Sequence, residues 1–173
     1  PTPEGIQICR DYHIQMPMQS AFIGWKQEPD DYLEHILGHD RLEKLNPIKT
    51  FRDNNIVVSF GSDAPCTTPD PIAWMDRAVN NDNAGQAVSV QDALRMCTYN
   101  GAWAAFDERE RGSLEAGKIA DMAVLSENPY TVPKDKIKDI RVERLYLGGK
   151  PYESCREGIL PMMFRGLTSR NKA

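Results

Sequence analysis

Asp63 is the side chain in this sequence best placed to do chemistry. It follows the run Ile56-Val57-Val58-Ser59-Phe60 and the pair Gly61-Ser62. A β-branched apolar run that does not alternate with polar residues reads as a parallel strand buried on both faces. In open sheets and in barrels, ligands bind where the carboxyl ends of such strands emerge. Gly61 lets the backbone turn closely, Ser62 can hydrogen-bond locally and Pro65 stiffens the exit, so the carboxylate is held and not left waving in solvent. A held carboxylate can bind a metal or accept a proton. The same Gly-Ser-Asp-Ala-Pro stretch can also be a plain turn in which Asp63 caps the following helix. On its own the motif leaves both readings open.

The three histidines are His13, His35 and His39. His35 and His39 stand four apart, the spacing of helical zinc sites, but Gly38 lies between them. Among the tryptophans, Trp74 and Trp103 fall on helical stripes and read as core, whereas Trp25 sits in a loop and is a candidate for lining a substrate pocket. Cys9, Cys66, Cys97 and Cys155 are scattered without a CxxC pair, which fits neither a zinc knuckle nor a small disulfide scaffold.

These residues need a framework to place them. Ile6, Ile8, Cys9 and Tyr12 keep helical spacing, and residues 13–19 then alternate as a short strand. Residues 22–29 form a loop, and residues 30–45 read as helical with a break at Gly38. Residues 47–53 read as a helix opening on proline, the turn Asn54-Asn55 follows, and then comes the strand before Asp63. Ile72 to Val79 reads as one helix and Ser89 to Trp103 as another, with Ser89 as its cap. From Gly112 the pattern changes to strands at 120–125 and 142–147, with Gly148-Gly149 as a tight turn into Lys150-Pro151-Tyr152. Residues 153–173 show little periodicity and read as an irregular tail.

Set in order, Phe60 to Pro65, Asp70-Pro71, Gln91 to Leu94, Asn100 to Phe106 and Gly112 to Leu125 resemble the amidohydrolase superfamily. Specifically they look like the branch called amidohydrolase family 3, whose members resemble N-substituted formamide deformylase. Gly112 to Leu125, followed by Asn128-Pro129 and Gly148-Gly149-Lys150, is the most specific part, and the likeness covers residues 4–152. It implies an α/β fold in which residues 1–111 are the C-terminal portion of a (β/α)8 barrel, its last two strands and helices, and residues 112–152 are strands of a flanking β-sandwich. It also implies that Asp63 contacts a divalent metal, zinc or a similar ion, and shuttles a proton for the attacking water in the intact protein. The other ligands of that family, a His-x-His pair, a middle ligand and two later histidines, would lie before Pro1.

The resemblance further implies hydrolysis of non-peptide C–N bonds in a small amide or formamide-like substrate. Gln19, at the end of its strand, is the second candidate for substrate binding beside Trp25, although Ser20-Ala21-Phe22 departs from the usual Pro and His, and Ala64 stands where many relatives have an aromatic residue. His35 and His39 fall in a variable excursion and His13 in a turn, all away from the family's ligand positions. Asp121 belongs to a structural signature and is given no chemistry. One carboxylate cannot hold a catalytic zinc, which takes three or more protein ligands, so the isolated chain is expected to be metal-free and inactive. The alternative is a non-catalytic amidohydrolase-fold protein used for binding or assembly.

Composition excludes other classes. A net charge of −4 with mixed signs argues against a nucleic-acid partner. No apolar run reaches the roughly 20 residues of a membrane helix, and Pro1-Thr2-Pro3-Glu4 lacks the basic start of a signal peptide, so the expectation is a cytoplasmic protein without a membrane partner. Beginning without methionine inside a helical pattern, the chain reads as truncated. A two-strand piece of a barrel would expose sheet edges, which predicts self-association through them.

Overall fold

The computed structural model describes residues 1–23 and 32–152. Two helix-to-strand units form its first part. Helix α1 (Pro3–Asp11) starts with Thr2, whose Oγ1 accepts the Gly5 N–H, and with proline at its first position. It ends at His13, which takes a left-handed φ of +53° while Ile14 N–H donates to Cys9 O and His13 N–H to Arg10 O. That is the Schellman closure, and it hands the chain directly to β1 (Met16–Met18). Helix α4 (Ile48–Asp53) repeats the device with Asn55 at φ +59° and Ile56 N–H on Phe51 O, leading into β2 (Val58–Phe60). Small polar residues accept the left-handed conformation more readily than most, which explains the asparagine. His13 thus has the turn role that its position implied.

The strands β1 and β2 pair in parallel, with Met16 opposite Val58 and Met18 opposite Phe60. Val58 and Ser59 are adjacent in sequence and both buried, so β2 is covered on both faces as its composition predicts. Between the two units lie α2 (Tyr32–Leu37) and α3 (His39–Leu42), separated at Gly38 with φ +74°. Trp25, and residues from 153 on, which the sequence pattern reads as an irregular tail, lie outside the described residues.

After β2, helix α5 (Pro71–Val79) is capped by Asp70, whose Oδ1 accepts from Ile72 and Ala73 N–H. The sequence pattern predicts a single helix from Ser89 to Trp103, and here the structure differs. Helix α6 (Val90–Cys97) stops at Thr98, where φ −126° and ψ −92° break the path, and α7 (Tyr99–Ala104) begins in a new direction. The Thr98 hydroxyl donates to Leu94 O, competing with the helical ladder at the break. The core joins Ile48 and Phe51 of α4, Val58 of β2, Met75 and Ala78 of α5, and Met96 of α6. Trp74 and Trp103, read as core from their stripes, are half-buried and do not belong to it.

A three-stranded antiparallel sheet follows, β3 (Met122–Leu125), β4 (Val142–Leu147) and β5 (Lys150–Pro151), in that order across the sheet. Gly148 and Gly149 turn between β4 and β5 with φ of +56° and +76°. A 3-10 helix at Lys134–Asp139, which the sequence pattern does not mark, packs on α5 with Ile137 fully buried.

Residues 112–121 explain the signature noted in the sequence. Gly112 has φ +87°, and a Cβ there would stand 2.7 Å from Ala102 Cβ, so the loop lies directly on α7. The Lys118 ammonium donates to Glu108 O and Ser113 Oγ, both at 2.7 Å, and sits 5.5 Å from the Tyr99 ring centroid, while the Arg95 guanidinium lies 4.2 Å from the same ring. Asp121 accepts the Gly148 N–H at 2.8 Å and pairs with Arg111. The motif is a structural clasp between α7 and the antiparallel sheet, and Asp121 spends both carboxylate oxygens on it.

Candidate functional site

Gly61 N–H donates to Met18 O at 3.0 Å, so the sheet pairing runs one residue past β2 before the chain turns away. Asp63 comes two residues later with φ +53°, a left-handed conformation in which a non-glycine residue signals a constrained turn. The turn is built locally. Ser62 Oγ accepts the Ala64 N–H at 3.1 Å, Cys66 N–H donates to Asp63 O at 2.9 Å, and the Thr67 hydroxyl donates to Ser62 O. The Asp63 carboxylate itself is exposed and makes no hydrogen bond or ion pair with any described residue. Its backbone is fixed by this turn, while its side chain has no partner among the described residues. Asp70, seven positions on, does the helix capping that was the plain alternative for Asp63.

The far side of β2 is held by Asn100, whose Nδ2 donates to Val58 O at 2.7 Å. The bend at Thr98 lets α7 present this amide to the strand. Gln19 leaves β1 at the same end of the sheet from which Asp63 leaves β2, and its side chain is exposed. Next to it, Ser20 is buried and its hydroxyl donates to Trp74 O at 3.0 Å, tying the loop after β1 to α5. The structure therefore brings Gln19 and Asp63 to one end of the parallel sheet; Trp25 lies outside the described residues.

A cavity of about 660 Å³ opens between these loops. Ala21 from the β1 side, residues 64–69 from the β2 side, and Ala73 and Arg77 from α5 line it. Arg77, Thr67 and Thr68 carry no motif that sequence reasoning could have found, because only the packing of α5 against both loops assembles them.

His39 lies 3.3 Å from Glu34 and 3.5 Å from Glu43, on the surface of α3. Among the described residues there is no group of three or more His, Cys, Asp or Glu side chains able to hold a metal ion. Asp63 is a single candidate ligand, and the donor set around it falls short of the three or more that a catalytic zinc takes. The described residues alone therefore do not complete a metal centre, and Asp63 would need partner ligands from outside them to hold one. Cys97 donates to Pro71 O at 3.6 Å, and burial pushes its thiol up to about 12, which removes it from nucleophilic chemistry. No helix among the described residues is long and apolar enough to cross a membrane.

Comparison with known proteins adds to this geometry. The sequence profile of the amidohydrolase family matches residues 8–152. An N-substituted formamide deformylase from Arthrobacter pascens is 32% identical over 152 residues, covering 84% of this chain and 26% of that protein. Among solved structures, a metal-dependent hydrolase from Pyrococcus horikoshii superposes with a TM-score of 0.63 at 22% identity, covering 78% of this chain and 28% of that one. An adenosine deaminase from Xanthomonas campestris with bound zinc gives 0.52 at 19% identity, covering 73% and 33% respectively. The chain spans about a quarter of the length of the curated relatives it matches.

Proposed function

This chain belongs to the amidohydrolase family, and we propose that it forms the C-terminal part of a metal-dependent hydrolase acting on non-peptide C–N bonds of amide or formamide type. In this reading β1 and β2 are the seventh and eighth strands of a (β/α)8 barrel, residues 1–111 complete that barrel, and residues 112–152 belong to a flanking β-sandwich. The observation that carries it is Asp63: an exposed, unpaired carboxylate on a fixed turn at the carboxyl end of a buried parallel strand. The deformylase relative supports the bond class, and the zinc-bearing deaminase supports a divalent metal.

Asp63 would take a proton from the attacking water and return it to the leaving amine. A divalent metal, zinc by preference, would lower the pKa of that water when bound by Asp63 and by ligands from the rest of the protein. The isolated chain, with one such ligand among its described residues, would be inactive. A cytoplasmic location belongs to the same proposal. So does self-association of the isolated chain through sheet edges that the rest of the barrel would otherwise pair.

The test is metal content and turnover of a formamide by the whole protein, wild type against Asp63→Asn. About one or two metals per chain and a loss of turnover on substitution support the assignment. A whole protein that binds no metal and hydrolyses nothing sinks it in favour of a binding or assembly role.

A further inference from the structure

We propose that the cavity beside Asp63 receives an anionic arm of the substrate, a carboxylate, with Arg77 as the group that selects it; this rests on the hydrolase reading above. The cavity shares a wall with the proposed catalytic turn, since Ala64 follows Asp63 directly and lines it. Its volume of about 660 Å³ falls within the range of small-molecule sites. Most of the wall is apolar and small: Ala21, Ala64, Pro65, Pro69 and Ala73. Against that wall stands one charged lining residue, the exposed Arg77, and among the described residues no acidic side chain lines the cavity to neutralise it.

Arg77 has no ion pair or hydrogen bond among the described residues, so its guanidinium fork is open to a ligand. A planar fork of N–H donors matches a carboxylate in two parallel bonds. Ala73 and Arg77 are one helical turn apart and share a face of α5, and the alanine leaves room beside the arginine stem. The N-terminus of α5 does not provide the positive group, because Asp70 already occupies its first N–H donors. Thr67 spends its proton on Ser62 O, which leaves Thr68 as the lining hydroxyl without a hydrogen-bond partner among the described residues. A substrate lying from Asp63 along the alanine and proline wall would end at these two donors.

A basic residue in the last turn of a helix also complements the helix dipole. That role predicts a loss of stability without a change in substrate preference, so the experiment reads preference. In the whole protein, kcat/KM would be measured for N-formylglycine and for its uncharged counterpart N-formylglycinamide, with wild type, Arg77→Gln and Arg77→Lys. The charged-over-neutral ratio is expected to fall about 10- to 100-fold in Arg77→Gln, through KM, and to recover partly in Arg77→Lys. An unchanged ratio overturns the proposal. If the wild type hydrolyses neither compound, the hydrolase reading is judged by the metal and formamide test above, and calorimetric binding of N-formylglycine decides this site. Weaker binding in Arg77→Gln upholds it, and equal or absent binding in both overturns it.

Discussion

Replacing Gly112 with alanine tests whether the clasp between α7 and the antiparallel sheet is held by close packing. Two costs add. Alanine at φ +87° is held in a left-handed conformation that costs about 1–2 kcal/mol. Its Cβ would also meet Ala102 Cβ at 2.7 Å, Tyr99 Cα at 2.9 Å and Thr98 O at 3.4 Å, and two of these three are backbone atoms that cannot rotate away. Overpacking of that kind costs about 1–3 kcal/mol. Gly117 provides the control. It has φ +94°, but an added Cβ meets nothing within 4 Å, so Gly117→Ala carries the conformational cost alone. The expected difference between the two variants is therefore about 1–3 kcal/mol. Urea denaturation, followed by far-UV circular dichroism, reads it: at the slope of about 2 kcal/mol per M typical of a small protein, Gly112→Ala should unfold about 0.5–1.5 M below Gly117→Ala. Equal midpoints would refute the packing argument and leave the glycines explained by backbone conformation alone.

Removing the Asn100 amide should cost about 1–3 kcal/mol in Asn100→Ala, because Val58 O loses its donor on a buried strand, and Asn100→Asp should cost more because two acceptors then face each other; urea midpoints check the order. In a Cys155→Ser background at pH 8, iodoacetamide should modify the exposed Cys66 before Cys97, whose thiol burial pushes up to about 12; peptide mass mapping over time reads the order, and labelling of Cys97 as fast as Cys66 contradicts its placement. The hydrogen bond from Lys49, and then the nearby Arg52 charge, hold Asp53 below its ordinary 3.8, so this contribution is present above that pH and fades as pH falls through the lower folded value. Lys49→Met should accordingly lower the urea midpoint slightly at pH 7 and not at all well below pH 3.8, an effect that added salt shrinks because the pair is exposed.

The sequence determined what depends on neighbours within about one helical turn. Ser89 announces its cap on α6, Gly148-Gly149 the turn between β4 and β5, Asn54-Asn55 the passage into β2, and the unbroken run from Ile56 a strand buried on both faces. Because the strand was legible, so was the place of Asp63 at its end. Trp74 and Trp103 show where the same reasoning stops, since a helical stripe says that a side chain faces inward and not how deeply it is covered. The apolar stripe from Ser89 also runs on past Thr98, so periodicity could not show the break that the Thr98 hydroxyl and the reach of Asn100 to Val58 bring about.

Only the tertiary structure decided which distant residues meet. Ser20 bonds across 54 positions to Trp74, Asn100 across 42 to Val58, and Asp121 across 27 to Gly148. The cavity beside Asp63 takes its walls from Ala21, residues 64–69 and Arg77, which share no period and no motif. Local pattern carries the direction of a side chain relative to its own element, whereas a binding surface depends on how separate elements pack, and that is settled by burying the faces of α4, β2, α5 and α6 in one core.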